Sequence, residues 1–559
     1  MKNFIFLLLT VSLVACGKKG ADAPLVDLAT ERKANSGSVV GFTSEHGAHV
    51  WTGLPFAQPP VGDLRWRAPR ATNGWTDTLR ALEFAPSCAQ PPSRLGGDES
   101  GGAEDCLYLN IYAPPMTAEA AAQADLPVLF WIHGGGNSIG SASDYDASIL
   151  ATQENVIVIT TQYRLGPFGW FYHPEMAASG DSAADRSGNY GTLDLIEALR
   201  WTGANVKAFG GDPDNITIFG ESAGGFNVFS LILAPAADGL FHKAISQSGS
   251  VRFADLDSAM QSTPNGSMAA AQRMIEATQV DDVGQLRNVS AADVLAAYNP
   301  DPNSGMISMP TIMHDGDVLT ELPSLAAFEA GRFNKVPLMM GTNKDEAKLF
   351  QYMDPKYADT WFGIWTRAKN PEVYQRDARY KSEHWRLMGV EEPARSLSGV
   401  PIYAYRFDWD DLGTPLGMDM PLLFGAAHAF EIPFIFGGIG LGQLGDILDT
   451  TPNPQDKTAL SESMMGYWGN FARLGDPNGD QPGLPEWQPW GETEQFLIFD
   501  AAADGGIRMS DDTITVAGLV GELVADTSFE NQQNRCDLYR ELLLFSAVLQ
   551  PYTAQVGCG

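Results

Sequence analysis

The sequence predicts an α/β fold: one large, mostly parallel, doubly wound sheet with helices on both faces. Two observations carry this. Short, continuous apolar runs recur at 126–132 (LPVLFWI), 156–161 (VIVITT), 216–219 (ITIF), 336–340 (VPLMM) and 402–407 (IYAYRF). A strand covered on both faces reads this way because neither face meets water. Helical-period stretches lie between such runs, as at 192–206 (TLDLIEALRWTGANV), and alternation of strand and helix points to a sheet wound on both sides. With 44% apolar residues in a chain of 559, one large core can be filled. In such sheets ligands bind beyond the carboxyl ends of the strands.

The N-terminal segment is expected to lie outside the fold. Lys2 gives a short positive start, and an apolar run at 4–14 is too short for a stable membrane span, so residues 1–15 read as a signal peptide. The tetrapeptide at 13–16 (LVAC) resembles a bacterial lipoprotein signal, which makes Cys16 the lipidated mature N-terminus and 16–35 a lipidated tether. Residues 36–559 are then a single domain. Gly17 after the cysteine fits outer-membrane or cell-surface sorting, with a periplasmic or secreted protein as the other outcome. The lipid is the expected means of membrane attachment.

Formal net charge is −32, from 68 Asp and Glu against 36 Lys and Arg. A phosphate backbone is repelled by such a surface, so nucleic acid is not an expected partner. Four cysteines follow Cys16. An even number in an exported chain suggests two disulfides, and short loops favour Cys88–Cys106 and Cys536–Cys558 among the three pairings. The cysteines and histidines do not fall at zinc-ligand spacing, and neither a metal nor a cofactor is expected.

Two G-x-S-x-G matches occur, at 136–140 (GNSIG) and 220–224 (GESAG). The motif needs a strand before it and a helix after it, so that a strained turn pushes the serine oxygen outward. Ser222 directly follows the ITIF run and opens a helical stretch. Ser138 is followed by bulky Ile139 and a polar loop, and reads as part of the turn after the glycine run. Ser222 is therefore the candidate nucleophile. Upstream, 133–136 (HGGG) follows the first apolar run. Glycines let backbone N–H groups approach a developing oxyanion, and the candidate donors are Gly135 and Gly136 with Ala223 from the elbow. His133 reads as structural.

A base must take the serine proton, and in this chain order an acid lies between serine and histidine. His242 and His314 leave too little room. His384 sits in a charged stretch (KSEH) that reads as solvated. His428, in an apolar setting at 425–437 (GAAHAFEIPFIFG), suits a desolvated site. Glu346 and Asp345 both follow the run at 336–340, and spacing alone leaves the acid open between them.

At this point longer stretches resemble a known family, the type-B carboxylesterase/lipase family that includes the cholinesterases. They are 53–66 (GLPFAQPPVGDLRW), 104–110 (EDCLYLN), 163–169 (YRLGPFG), 209–225 (FGGDPDNITIFGESAGG), 247–250 (QSGS) and 471–478 (FARLGDPN). The likeness spans about 36–545. It implies an α/β-hydrolase fold and a serine esterase acting on small-molecule carboxylic esters, with a Ser222–Glu346–His428 triad. It also implies a first disulfide at Cys88–Cys106, and positions near the triad for Glu221 and Ser248. An interfacial lipase and a non-catalytic binding member are the other readings; the latter would lack the nucleophile. No tryptophan lies between Cys88 and Cys106, so choline esters are poor candidates. Asn137 stands where an aromatic often follows the glycines, and Ala347 and Ala429 stand where glycines are common; these departures bear on substrate shape.

Overall fold

The computed structural model describes residues 24–559 except 94, 96–100, 262–263, 362–364, 439–446, 448, 480–482 and 559. Cys16 and the expected signal segment lie outside the described residues.

Among the described residues eleven strands form the main sheet. In chain order they are β1 (Phe42–Thr43), β2 (His49–Pro55), β3 (Tyr108–Ala113), β4 (Leu126–Ile132), β5 (Ile157–Thr161), β6 (Gly211–Glu221), β7 (Lys243–Gln247), β8 (Leu338–Asn343), β9 (Ile402–Phe407), β10 (Phe496–Phe499) and β11 (Arg508–Ser510). The spatial order is β11-β10-β9-β8-β7-β6-β4-β5-β3-β2-β1. From β4 to β10 the strands are parallel; the edges, β1 to β3 and β11, are antiparallel. All five apolar runs are strands of the parallel region. The antiparallel edge was not expected from apolar runs, because edge strands carry polar residues among apolar ones.

Side chains of each strand alternate between two cores, as the period of two requires. In β4, Val128, Phe130 and Ile132 enter one core, and Leu129 and Trp131 enter the other. Helices α1 (Tyr190–Asn205) and α2 (Ala223–Leu233) fill the first face with Leu195, Leu199 and Phe229. On the second face, α3 (Pro371–Arg386) contributes Tyr374, while α4 (Ile432–Phe436) and α5 (Pro454–Leu474) contribute Phe436, Met464, Trp468 and Phe471. Helices on both faces make the sheet doubly wound, as expected.

The folded body begins earlier than residue 36. Arg32–Ala34 pairs with Gly37–Val40, Thr30 and Arg32 are buried, and the Trp51 indole N–H donates to Thr30 O (2.9 Å). A tether reaching residue 35 is therefore too long. Its polar residues hid this, because the strand is short and pairs through its backbone.

Disulfides join Cys88 to Cys106 and Cys536 to Cys558. Both fit an oxidising compartment outside the cytoplasm. The second fastens the C-terminus onto α6 (Gln532–Phe545), in a small separate core with Leu538, Tyr539 and Leu542. Among the described residues no helix is long and apolar enough to cross a membrane.

Candidate active site

β6 runs straight into α2 through one residue, Ser222, at φ 55° and ψ −122°. A non-glycine residue in this region carries backbone strain of about 1–3 kcal/mol. The surroundings hold it there: the Ser222 N–H donates to Gln247 O at the end of β7 (2.9 Å), and Ser222 O accepts from Phe226 N–H (3.0 Å). The glycines two places away are sterically required. A Cβ on Gly220 would stand 2.6 Å from Ile132 O, and one on Gly224 would collide with the same oxygen. The elbow thus presses against the end of β4, and Ser222 is left partly exposed while its neighbours are buried.

The chain after β4 turns at Gly135 (φ 100°) and Gly136 (φ 62°), which other residues adopt only with strain. Among the described residues the N–H groups of Gly135 and Gly136 donate to no acceptor, and that of Ala223, opening α2, has no intrahelical partner. His133 packs on Tyr163 (ring centroids 4.5 Å apart), and Tyr163 OH donates to His133 O (2.7 Å). Burial pulls its imidazole down to about 4, so it is neutral. Ser138 is buried and its Oγ accepts from Ile307 N–H (3.2 Å), facing a packed segment. Asn137 is also buried: its Oδ1 accepts from Asn227 Nδ2 on α2 (2.7 Å) and its Nδ2 donates to Thr311 Oγ1 (3.3 Å). The residue replacing an aromatic here ties the glycine loop to the elbow helix.

Glu346 lies in the turn after β8. Asn343 N–H donates to its Oε1 (2.8 Å), and its Oε2 stands 2.5 Å from His428 Nδ1. Asp345, one residue earlier, points away; it pairs with Lys348 Nζ (3.0 Å) and accepts from Ala426 N–H (3.2 Å). His428 Nε2 is 3.1 Å from Glu221 Oε1. Among the described residues no hydrogen bond joins it to Ser222 Oγ; such bonds are often long or misaligned before substrate binds. The structure therefore brings Glu221, Glu346 and His428 together beside the elbow. His384 is buried within α3 rather than solvated, and burial pulls it down to about 4. The charged residues beside it are themselves half-buried in ion pairs, Lys381 with Glu541 and Glu383 with Arg379, so charge in this stretch did not mark a solvated face.

Sequence reasoning missed three members of this neighbourhood. Glu431 is fully buried, its Oε2 accepting from Asn343 Nδ2 (2.6 Å) and its Oε1 from Gln247 Nε2 (3.2 Å). Phe350 and Trp385, stacked on each other, both pack against the His428 ring, at centroid distances of 5.4 and 4.7 Å. A carboxylate three residues after His428 in an apolar run was the available signal for Glu431; the two aromatics had none. Ser248, at φ 48°, donates its N–H to Gly341 O (2.7 Å), and its buried Oγ has no partner among the described residues.

Burial pulls the His428 imidazole down, but Glu221 and Glu346 outweigh it and raise it to about 9. Burial pushes Glu221 well above the usual carboxylate range, and Glu431 up to about 7. Deprotonated imidazole is the form that accepts a proton, so the ascending limb of kcat/KM against pH is expected above 6.5, towards 9. Glu221→Gln removes a carboxylate that favours imidazolium. The limb should move down by roughly 1–2 pH units; an unmoved limb would mean that Glu221 is uncharged throughout.

A parallel sheet that offers a strained serine at its carboxyl edge, backed by a helix, is the α/β-hydrolase architecture. A profile of the Carboxylesterase family matches residues 28–362 and 361–505, and the chain belongs to that family. It is 34% identical over 491 residues to a para-nitrobenzyl esterase of Bacillus subtilis (strain 168), covering 83% of this chain and 94% of that protein. It is 31% identical over 523 residues to carboxylesterase 1D of Rattus norvegicus, covering 83% and 87%. The solved structure of a Geobacillus stearothermophilus carboxylesterase superposes with a TM-score of 0.67 at 30% identity, covering 86% of this chain and 98% of that one. The chain is a carboxylic ester hydrolase.

Proposed function

We propose that the protein hydrolyses small-molecule carboxylic esters through an acyl-enzyme on Ser222, with His428 as base and Glu346 as its acid. The observation that carries this reading is the 2.5 Å contact of Glu346 with His428 Nδ1, which leaves Nε2 facing the elbow side. In the reaction, His428 Nε2 takes the Ser222 proton as Oγ attacks the ester carbonyl. The N–H groups of Gly135, Gly136 and Ala223 receive the oxyanion. Imidazolium then protonates the leaving alcohol, and water activated by the same histidine releases the acid. Glu346 holds the imidazole and stabilises its charged form. No step calls for a cofactor. Glu221 and Ser248 act behind these groups, Glu221 on the imidazole and Ser248 by fixing the loop that Ser222 N–H bonds.

A fluorophosphonate probe tests the reading. Wild-type protein should gain one probe adduct on the peptide carrying Ser222, with loss of esterase activity in proportion. Labelling elsewhere, or activity that survives complete Ser222 labelling, would refute it. The same reading includes export through a signal peptide at 1–15, which the two disulfides support, and a lipid anchor on Cys16, which rests on the tetrapeptide at 13–16, with residues beyond the tether forming one catalytic domain.

A further inference from the structure

The oxyanion donors come from two separate pieces of chain: Gly135 and Gly136 from the loop after β4, and Ala223 from the start of α2. To serve one oxygen, they must be held at a fixed spacing. The far end of the loop is tied elsewhere. Buried Gln90, beside the Cys88–Cys106 disulfide, grips Gly140 with both ends of its amide: Oε1 accepts from Gly140 N–H (2.9 Å) and Nε2 donates to Gly140 O (3.0 Å). The link from the glycines to the elbow helix is a pair of buried side-chain amides. Asn227 lies one turn into α2, and its Nδ2 donates twice, to Ala223 O on its own helix (2.9 Å) and to Asn137 Oδ1 (2.7 Å). Asn137 directly follows Gly136, at φ 56°, a region that asparagine tolerates better than most residues. Its O accepts from Gly166 N–H (2.6 Å), and its Nδ2 donates to Thr311 Oγ1 (3.3 Å). An apolar side chain at 137 would strand one Asn227 N–H in the interior, so the two residues require each other.

We infer that Asn137 and Asn227 are positioning residues that set the spacing of the oxyanion site, through the hydrogen bond joining the Gly136 side to the Ala223 side. The inference rests on the acyl-enzyme reading above. Both act through backbone N–H groups of their neighbours. Those groups matter most when the carbonyl oxygen becomes charged, so the pair serves the transition state more than substrate binding.

The test uses the full chain with p-nitrophenyl acetate. Asn227→Ala cuts the link from the helix. Asn137→Gly cuts it from the loop, and glycine keeps the left-handed turn without strain. Each is expected to lower kcat by roughly 10–100-fold, with KM within about threefold of wild type. The double variant should be no worse than Asn227→Ala alone, within about threefold, because both changes remove one link. The ascending limb of kcat/KM against pH should stay at its wild-type position, since His428 is untouched. An aryl trifluoromethyl ketone gives a direct reading of the site. Ser222 Oγ adds to its carbonyl, the proton passes to His428, and an oxyanion is left. Its affinity should fall in step with kcat/KM. Wild-type kcat in either variant, losses that multiply in the double variant, or a shifted limb would overturn the inference, and each single variant is a reading by itself should the other fold poorly. Fluorophosphonate labelling separates the two readings: a labelled wild type whose variants keep kcat sinks the positioning role alone, while a wild type neither labelled nor active sinks both.

Discussion

Ser222→Ala is expected to lower kcat for p-nitrophenyl acetate by about 10⁵–10⁶-fold, with far-ultraviolet circular dichroism unchanged. The size follows from what is removed. Without Oγ no acyl-enzyme forms, and what remains is the rate that oxyanion donors and binding can supply to water attack, some 10³–10⁴-fold over the uncatalysed reaction. The fold should not suffer. Ser222 holds its elbow through backbone N–H and C=O contacts with Gln247 and Phe226, which alanine keeps. Alanine meets the same strain at φ 55° as serine does, so the substitution isolates the hydroxyl. Activity within tenfold of wild type would mean that another residue carries the attack.

Glu346→Gln is expected to lower kcat by about 10³–10⁴-fold while KM changes little. The carboxylate accepts the proton on His428 Nδ1, so the lone pair is left on Nε2, which stands 3.1 Å from Glu221 Oε1. A glutamine can turn its amide N–H towards Nδ1 instead. The imidazole proton then moves to Nε2, where it blocks proton acceptance from Ser222. Loss of the negative charge also removes part of what raises His428 to about 9, so the residual activity should show an ascending limb at lower pH than the wild type. Single-turnover acylation rates across pH 5–10 check both effects. Equal rates for variant and wild type would exclude Glu346 as the acid and return attention to Glu221, the other carboxylate beside the ring.

The elbow was legible in the sequence because its constraint is local. Gly220 and Gly224 must be small for the turn to press on β4, and strand, serine and helix follow one another without a gap. That is also why Ser222 could be told from Ser138, whose motif lacks the strand and the helix. The acid was not legible from spacing. Asp345 and Glu346 share one turn, and only the positions of Lys348 and Ala426 on one side and His428 on the other send the two carboxylates in different directions. His384 failed for a related reason: a helix in a charged stretch still has one inward face, and the chain alone does not say which partner covers it.

The α/β class, the parallel strands, the elbow and the glycine loop could be read from the chain, because each depends on apolar period or on steric demands within a few residues. Packing brought Glu346, which the family resemblance had named where spacing could not, onto His428 across 82 residues, and it alone showed that Glu431 crowds the same buried space as Glu221 and that Trp385 and Phe350 pack against the imidazole. Contacts of that kind form where separate strand ends and helices converge, and their geometry depends on how whole layers pack, which no local pattern encodes.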